Sequence, residues 1–157
     1  MIVRVGMADA QAAQTEDSLR TLGLGSCVGV ALYDPVAKIG GLAHIMLPDH
    51  AGREDAPLAK FADTGVPFAL TLMEQLGAVR RRITAKLAGG AQMFAGTGND
   101  SLRVGPRNVE AVYKALGASS IAVIAADVGD HYGRTIELFC TDGRLSVRSA
   151  RSGETWL

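Results

Sequence analysis

Cysteine, a surplus of either charge and long apolar runs are all missing or scarce in this chain, and each shortage removes a class of protein. Two cysteines, Cys27 and Cys140, in 157 residues are too few for a disulfide framework, and no Cys/His pair has zinc-finger spacing. Lys+Arg and Asp+Glu both number 16, so the basic surplus of a generic nucleic-acid binder is missing. No apolar stretch approaches the roughly 20 residues of a bilayer span. The first twenty residues lack the basic start and apolar run of a secretion signal. These absences predict a cytoplasmic protein with reduced thiols, no nucleic-acid partner and no membrane insertion. What is present is an ordinary globular balance, 48% hydrophobic and 20% charged. The length suits one domain over residues 1–157, which buries roughly 70% of its extended surface without a staple.

Periodicity divides the chain into nine elements. Strands are expected over 2–7, 28–33 and 39–47, the last two forming a hairpin across Asp34-Pro35. Residues 8–19 read as a loop or edge segment. Helical spacing runs over 61–76, with Asp63 or Thr64 as cap, Pro67 in the first turn and Gly77 as the stop. A strand is expected over 80–87, a loop over 95–106, a helix over 107–116 and a buried strand over 120–126. Residues 134–140 and 144–149 alternate around Thr141-Asp142-Gly143 as a second hairpin, and the tail reads as loose. Two helices cannot cover both faces of a doubly wound parallel sheet. An α/β fold with a mixed sheet and a hairpin at each end fits better.

Nineteen glycines are present, and they cluster. The segment TLGLGSC at 21–27 is the densest and leads directly into a strand. A cysteine in such a turn can be exposed, with the backbone N–H groups of Gly25, Ser26 and Cys27 near a developing oxyanion. On composition alone, a small buried filler is the plainer reading of Cys27. His44 lies in the apolar strand next to the one that Cys27 opens. Alone it reads as a satisfied core histidine; paired with Cys27 across the hairpin it becomes a nucleophile's base. Thr21 can turn its hydroxyl or its carbonyl toward that imidazole. Cys140 reads as core, and His50 and His131 as surface residues. Gly89-Gly90 and Gly96-x-Gly98 match neither phosphate-binding pattern, so they read as tight turns and close chain approach. Arg80-Arg81-Arg82 reads as a solvated start of a strand, and Asp127 as a residue that hydrogen-bonds a turn.

Five segments carry a family resemblance: TLGLGSCV (21–28), AHIMLP (43–48), KLAGGAQMF (86–94), RNVEAV (107–112) and GRTIELFCTDGRLSV (133–147). In order and spacing they resemble the CheD family of chemoreceptor glutamine deamidases, over nearly the whole chain. The resemblance implies a layered α/β fold related to the catalytic domain of the cytotoxic necrotizing factor toxins. It implies conversion of particular glutamines on chemoreceptor cytoplasmic helices to glutamate with release of ammonia, and in some members hydrolysis of glutamyl methyl esters. It places the catalytic cysteine at Cys27, the histidine at His44 and the threonine at Thr21, with no metal or organic cofactor. Chemoreceptors (methyl-accepting chemotaxis proteins) and a CheC-type phosphatase are the implied partners, at receptor arrays in the cytoplasm. Phe61-Ala62-Asp63 stands where the family usually has Tyr-Ala-Asp, and Gly129-Asp130 where a glycine pair is usual. Three other readings compete: a regulator of the CheC-type phosphatase with catalysis secondary, a toxin-like deamidase of a GTPase, and a redox-sensing thiol at Cys27.

Overall fold

The structure, a computed structural model, describes residues 1–93 and 103–157. The expected loop at 95–106, including Gly96-x-Gly98, lies largely outside the described residues. Two five-stranded sheets pack face to face, and two helices cover the outer face of one of them. The first sheet runs β1 (Ile2–Arg4), β3 (Ser18–Leu24), β8 (Arg134–Phe139), β9 (Leu145–Ser149) and β10 (Gly153–Trp156). The second runs β2 (Ala10–Gln14), β5 (Ile39–Ile45), β4 (Val28–Asp34), β6 (Thr84–Gly89) and β7 (Ala122–Val128). Helices α1 (Ala62–Gln75) and α2 (Val104–Ala118) lie against the second sheet.

The β4–β5 hairpin forms as its alternation and Asp34-Pro35 turn dictate, in register from Val28 opposite Ile45 to Asp34 opposite Ile39. All seven residues of each strand are buried, because both faces of this sheet are covered. Val28, Val30 and Leu32 point into the helix layer with Ala43 and Ile45. Cys27, Ala31 and Leu42 point the other way, into the core between the sheets with Leu19, Leu24, Ile136, Leu138 and Val147. Gly29 lies on that inner face, directly opposite His44. A Cβ there would sit 2.4 Å from Ile136 Cδ1, so the missing side chain is what lets the sheets approach beside the histidine.

Three strands were not expected. β2 is the edge strand of the second sheet, inside the segment read as loop or edge. β3 takes up most of the glycine-rich stretch: it pairs with β8 through Thr21 opposite Ile136, slips register, and pairs again at Leu24 opposite Arg134. β10 pairs with β9, so the tail is not loose. The expected strand over 80–87 begins only at Thr84, and Arg80–Arg82 forms a single 3₁₀ turn. The mixed sheet predicted from sequence is therefore two sheets, each mixing parallel and antiparallel pairs. In α1 neither Asp63 nor Thr64 caps: Thr64 Oγ1 donates to Leu58 O and Asp63 accepts from the His50 N–H. Pro67 lies beyond the first turn.

Asp34, with its side chain fully buried, ties the hairpin to the start of β6. Its carboxylate accepts from the Val36, Ala37 and Val79 N–H groups and is gripped by the Arg82 guanidinium at 2.9 Å. Burial raises the pKa of such a group, but Arg82 and the three backbone donors outweigh it and hold it at about 2. A depressed folded-state pKa stabilises the fold above the ordinary value of 3.8, and that stabilisation is lost as pH falls through about 2. Asp34→Asn is expected to lower stability by roughly 2–4 kcal/mol, since Arg82 loses its partner. Urea midpoints at neutral pH measure the loss, and acid titration should show a shallower fall for the variant. A variant as stable as the wild type would remove Asp34 from this role.

Candidate active site

The site forms where the chain crosses from one sheet to the other. Thr21 ends the regular pairing of β3. An extra residue at the Leu22-Gly23 irregularity kinks the strand, and Gly23 takes φ +70. The chain then passes through Gly25, Ser26 and Cys27 into β4. Cys27 and His44 share the inner face of the second sheet, where Gly29 alone separates them along β4 and faces His44 across the pair. Diagonal neighbours of this kind lie within reach of a long side chain. Thr21 approaches from the facing sheet.

Hydrogen bonds settle the protonation of the imidazole. Thr21 Oγ1 lies 2.7 Å from Val5 O and 2.7 Å from His44 Nδ1. A carbonyl only accepts, so the single hydroxyl proton of Thr21 goes to Val5. Thr21 Oγ1 must then accept from His44 Nδ1–H. In the neutral ring this leaves Nε2 bare. Nε2 is buried and has no hydrogen-bond partner among the described residues. Of the two options for Thr21, the hydroxyl is the one used.

Burial favours the neutral form of both Cys27 and His44. Burial lowers the His44 pKa below 6.5. Burial raises the Cys27 pKa above 9.0, opposed in part by the residue's own backbone N–H. The resting pair is thus thiol and imidazole, because the enclosed site penalises both charges.

The loop backbone is fixed through its carbonyls. Gly25 O accepts from the Ala91 N–H, Cys27 O from the Gly90 N–H, and Ser26 O from Asn108 Nδ2 at 3.0 Å. Asn108 Nδ2 also donates to Met46 O at 2.9 Å. Gly89 must be glycine for this fit, because a Cβ there would lie 2.3 Å from Cys27 O. The Gly25 N–H is turned back to Gly23 O at 3.1 Å, so of the expected oxyanion loop this donor is spent within the loop, while the Cys27 N–H lies against its own thiol.

Sequence reasoning missed Asn108. It is fully buried, and Asn108, Val112 and Leu116 form one stripe at a spacing of four along α2. A lone amide in an apolar stripe is the signal that marks it. The other candidates lie elsewhere. Cys140 is enclosed near the far end of β5, its Sγ against Ala13 O, and burial pushes its pKa up to about 11. His50 is half-buried edge-on to Phe61, which is itself fully buried. His131 is exposed and donates from Nδ1 to Gln92 O. Asp127 pairs with Arg134, and Arg80 and Arg82 pair with Glu74 and Asp34. No three His, Cys, Asp or Glu side chains converge among the described residues.

The hydrogen-bond chain makes a spectroscopic prediction. ¹⁵N-histidine NMR should show His44 with a protonated Nδ1 and a bare Nε2 at neutral pH, titrating with a midpoint below 6.5. Thr21→Val should move that proton or mix the tautomers, and Thr21→Ser should retain it. A midpoint above the ordinary value would overturn the assignment of a buried neutral base.

Comparison with known proteins fits this arrangement to a family. The family described as "CheD chemotactic sensory transduction" matches residues 46–149. The "Chemoreceptor glutamine deamidase CheD" of Halalkalibacterium halodurans is 50% identical over 156 residues, 98% of this chain and 96% of that protein. The protein of the same name from Bacillus licheniformis is 43% identical over 157 residues, 98% and 94% of the two chains. Among solved structures, a Neisseria meningitidis protein assigned to DUF152 superposes with a TM-score of 0.53 at 11% identity, over 82% of this chain and 64% of that one. That is a likeness of fold alone, and it is to a DUF152 protein, not to the toxin catalytic domain expected from sequence. No described helix is long and apolar enough to cross a membrane. With half its residues shared along almost its full length with one such protein, and the family pattern matched from Met46 to Ser149, the chain belongs to the CheD family.

Proposed function

We propose that residues 1–157 act as one deamidase domain, a cysteine-dependent amidohydrolase that converts particular glutamines on chemoreceptor cytoplasmic helices to glutamate. The relatives' names carry the substrate class. The observation that carries the chemistry is the Thr21–His44 bond, which commits the Nδ1 proton and leaves Nε2 bare on the face that Cys27 shares.

In this reading His44 Nε2 takes the Cys27 proton as Sγ attacks the glutamine side-chain carbon. Burial of both groups favours the neutral pair at rest, so proton transfer accompanies attack. The C–S bond forms, and the carbonyl oxygen becomes an oxyanion facing the Ser26 and Cys27 N–H groups. Collapse breaks the C–N bond, and ammonia leaves with the proton from His44. A thioester remains. His44 then takes a proton from water, hydroxide adds to the thioester, and collapse breaks the C–S bond. The proton returns to Cys27. The balance is glutamine plus water to glutamate plus ammonia, with no cofactor. A glutamyl methyl ester would follow the same path with methanol leaving.

The rim of the loop supports a protein substrate over free glutamine. Leu22, next to it in the chain, and Met93 are exposed, and Met93 Cγ lies 3.5 Å from where a Gly25 Cβ would be. Exposed apolar side chains beside a recessed thiol suit an amphipathic helix. A CheC-type phosphatase docking on the same rim at receptor arrays is the regulatory partner this reading adds.

Incubation with a purified chemoreceptor cytoplasmic fragment from the same organism tests the proposal, with peptide mass spectrometry scoring glutamine-to-glutamate conversion. Wild type should convert and Cys27→Ala should not, with its fold retained. Cys140→Ser should stay within about twofold of wild type, since a core thiol away from the chemistry contributes only packing. Conversion by Cys27→Ala would remove the nucleophile assignment. No conversion by wild type would favour the reading as a phosphatase regulator.

A further inference from the structure

We propose that Asn108 is a positioning residue that aims the Cys27 N–H at the developing oxyanion and holds the nucleophile loop in register with the base strand. This rests on Cys27 being the nucleophile.

The inference starts from one side-chain nitrogen. Asn108 Nδ2 carries two hydrogens, and each meets one carbonyl: Ser26 O at 3.0 Å and Met46 O at 2.9 Å. Both partners only accept, so the amide's orientation is fixed by chemistry. Ser26 immediately precedes Cys27, and Met46, just past the end of β5, follows His44 by two residues. One amide thus bridges the segment that carries the thiol and the end of the strand that carries the imidazole.

The consequence follows from peptide geometry. In a planar trans peptide the C=O and the next N–H point in opposite directions. Holding Ser26 O against Asn108 turns the Cys27 N–H away from α2. It turns it toward the thiol, because that N–H lies against its own Sγ. An oxygen on a carbon bonded to Sγ would sit within reach of the same donor. The preceding peptide is held likewise, by Ala91 N–H on Gly25 O, but by backbone rather than a replaceable side chain.

The fold is shaped to bring Asn108 there. At Gly105, one turn earlier on α2, a Cβ would lie 2.1 Å from Ala91 O, so the helix comes closer to the Gly90-Ala91 backbone, which itself donates to the loop carbonyls, than any other residue would allow. Asn108 is fully buried, and its Oδ1 has no partner among the described residues. A buried amide with one unsatisfied oxygen is costly. Its two donated bonds are the use of it that the structure shows.

The experiment compares two reactions of the same thiol. Asn108→Ala and Asn108→Ser, the latter keeping one donor, are assayed with the receptor fragment and, separately, for the rate of Cys27 alkylation by iodoacetamide. Alkylation passes through no oxyanion. The expected result for Asn108→Ala is kcat down roughly 100-fold, as for loss of an oxyanion donor, with KM and the alkylation rate each within about threefold of wild type. Asn108→Ser should lie between. Near-wild-type kcat in folded Asn108→Ala overturns the proposal. So does a parallel loss of alkylation and turnover, which would mark general damage to the loop. Unfolding of both variants by circular dichroism also overturns it, in favour of a purely structural amide. Turnover by Cys27→Ala in the same assay would instead defeat the nucleophile reading on which the proposal rests.

Discussion

A buried imidazole between two β-sheets has to find a partner across the gap, and here it finds a single hydroxyl. The Thr21–His44 contact of 2.7 Å joins the sheets at the point where Gly29 lets them close. Leaving a buried N–H unpaired costs about 1–3 kcal/mol. That penalty ties the orientation of the histidine to the closure of the sandwich. Val5 completes the chain by accepting the hydroxyl's hydrogen bond, which brings the residue after β1 into the same dependency. The tautomer of one ring is thereby set by segments from both sheets.

The same enclosure that fixes the ring also discourages charge on it. An exposed Cys–His pair can rest as thiolate and imidazolium; this one is held as thiol and imidazole by desolvation. A neutral thiol is a poor target for adventitious alkylation or oxidation. That weighs against Cys27 as a redox sensor. It suits the proposed mechanism, in which the thiol gives up its proton only as it attacks.

Much of this was legible in the residues. Alternation and the Asp34-Pro35 turn specified the β4–β5 hairpin, and that hairpin alone puts Cys27 and His44 on one face. Thr21 was legible only as a member of the glycine-rich motif. Its placement depends on β3 belonging to the other sheet, a long-range pairing that no local pattern announces. Gly23 and Gly25 hid that strand by resembling a loop, and the exposed residues of β10 hid another. Arg80–Arg82 misread as strand because charged and apolar residues alternate there, whereas Arg82 is spent on Asp34. Asn108 was hidden among the apolar positions of α2, where helical periodicity counts Val112 and Leu116 and passes over the amide between them and the loop.

The second sheet is covered on both faces, and each cover holds a different part of the candidate site. The facing sheet holds His44 through Thr21. The helix layer holds the Cys27 loop through Asn108, with the Gly90 and Ala91 backbone as the remaining supports. Asn108 also grips Met46 O, just past the end of the strand that bears His44. A displacement of α2 would therefore disturb the Cys27 loop and the end of β5 together, whereas a displacement of the facing sheet would reach the imidazole through Thr21. Fully buried central strands make such displacements costly, since a close-packed interior has few alternative arrangements. The rigidity of the sheet is what allows two side chains, one from each layer, to hold the Cys27 loop and the His44 imidazole in a fixed relation.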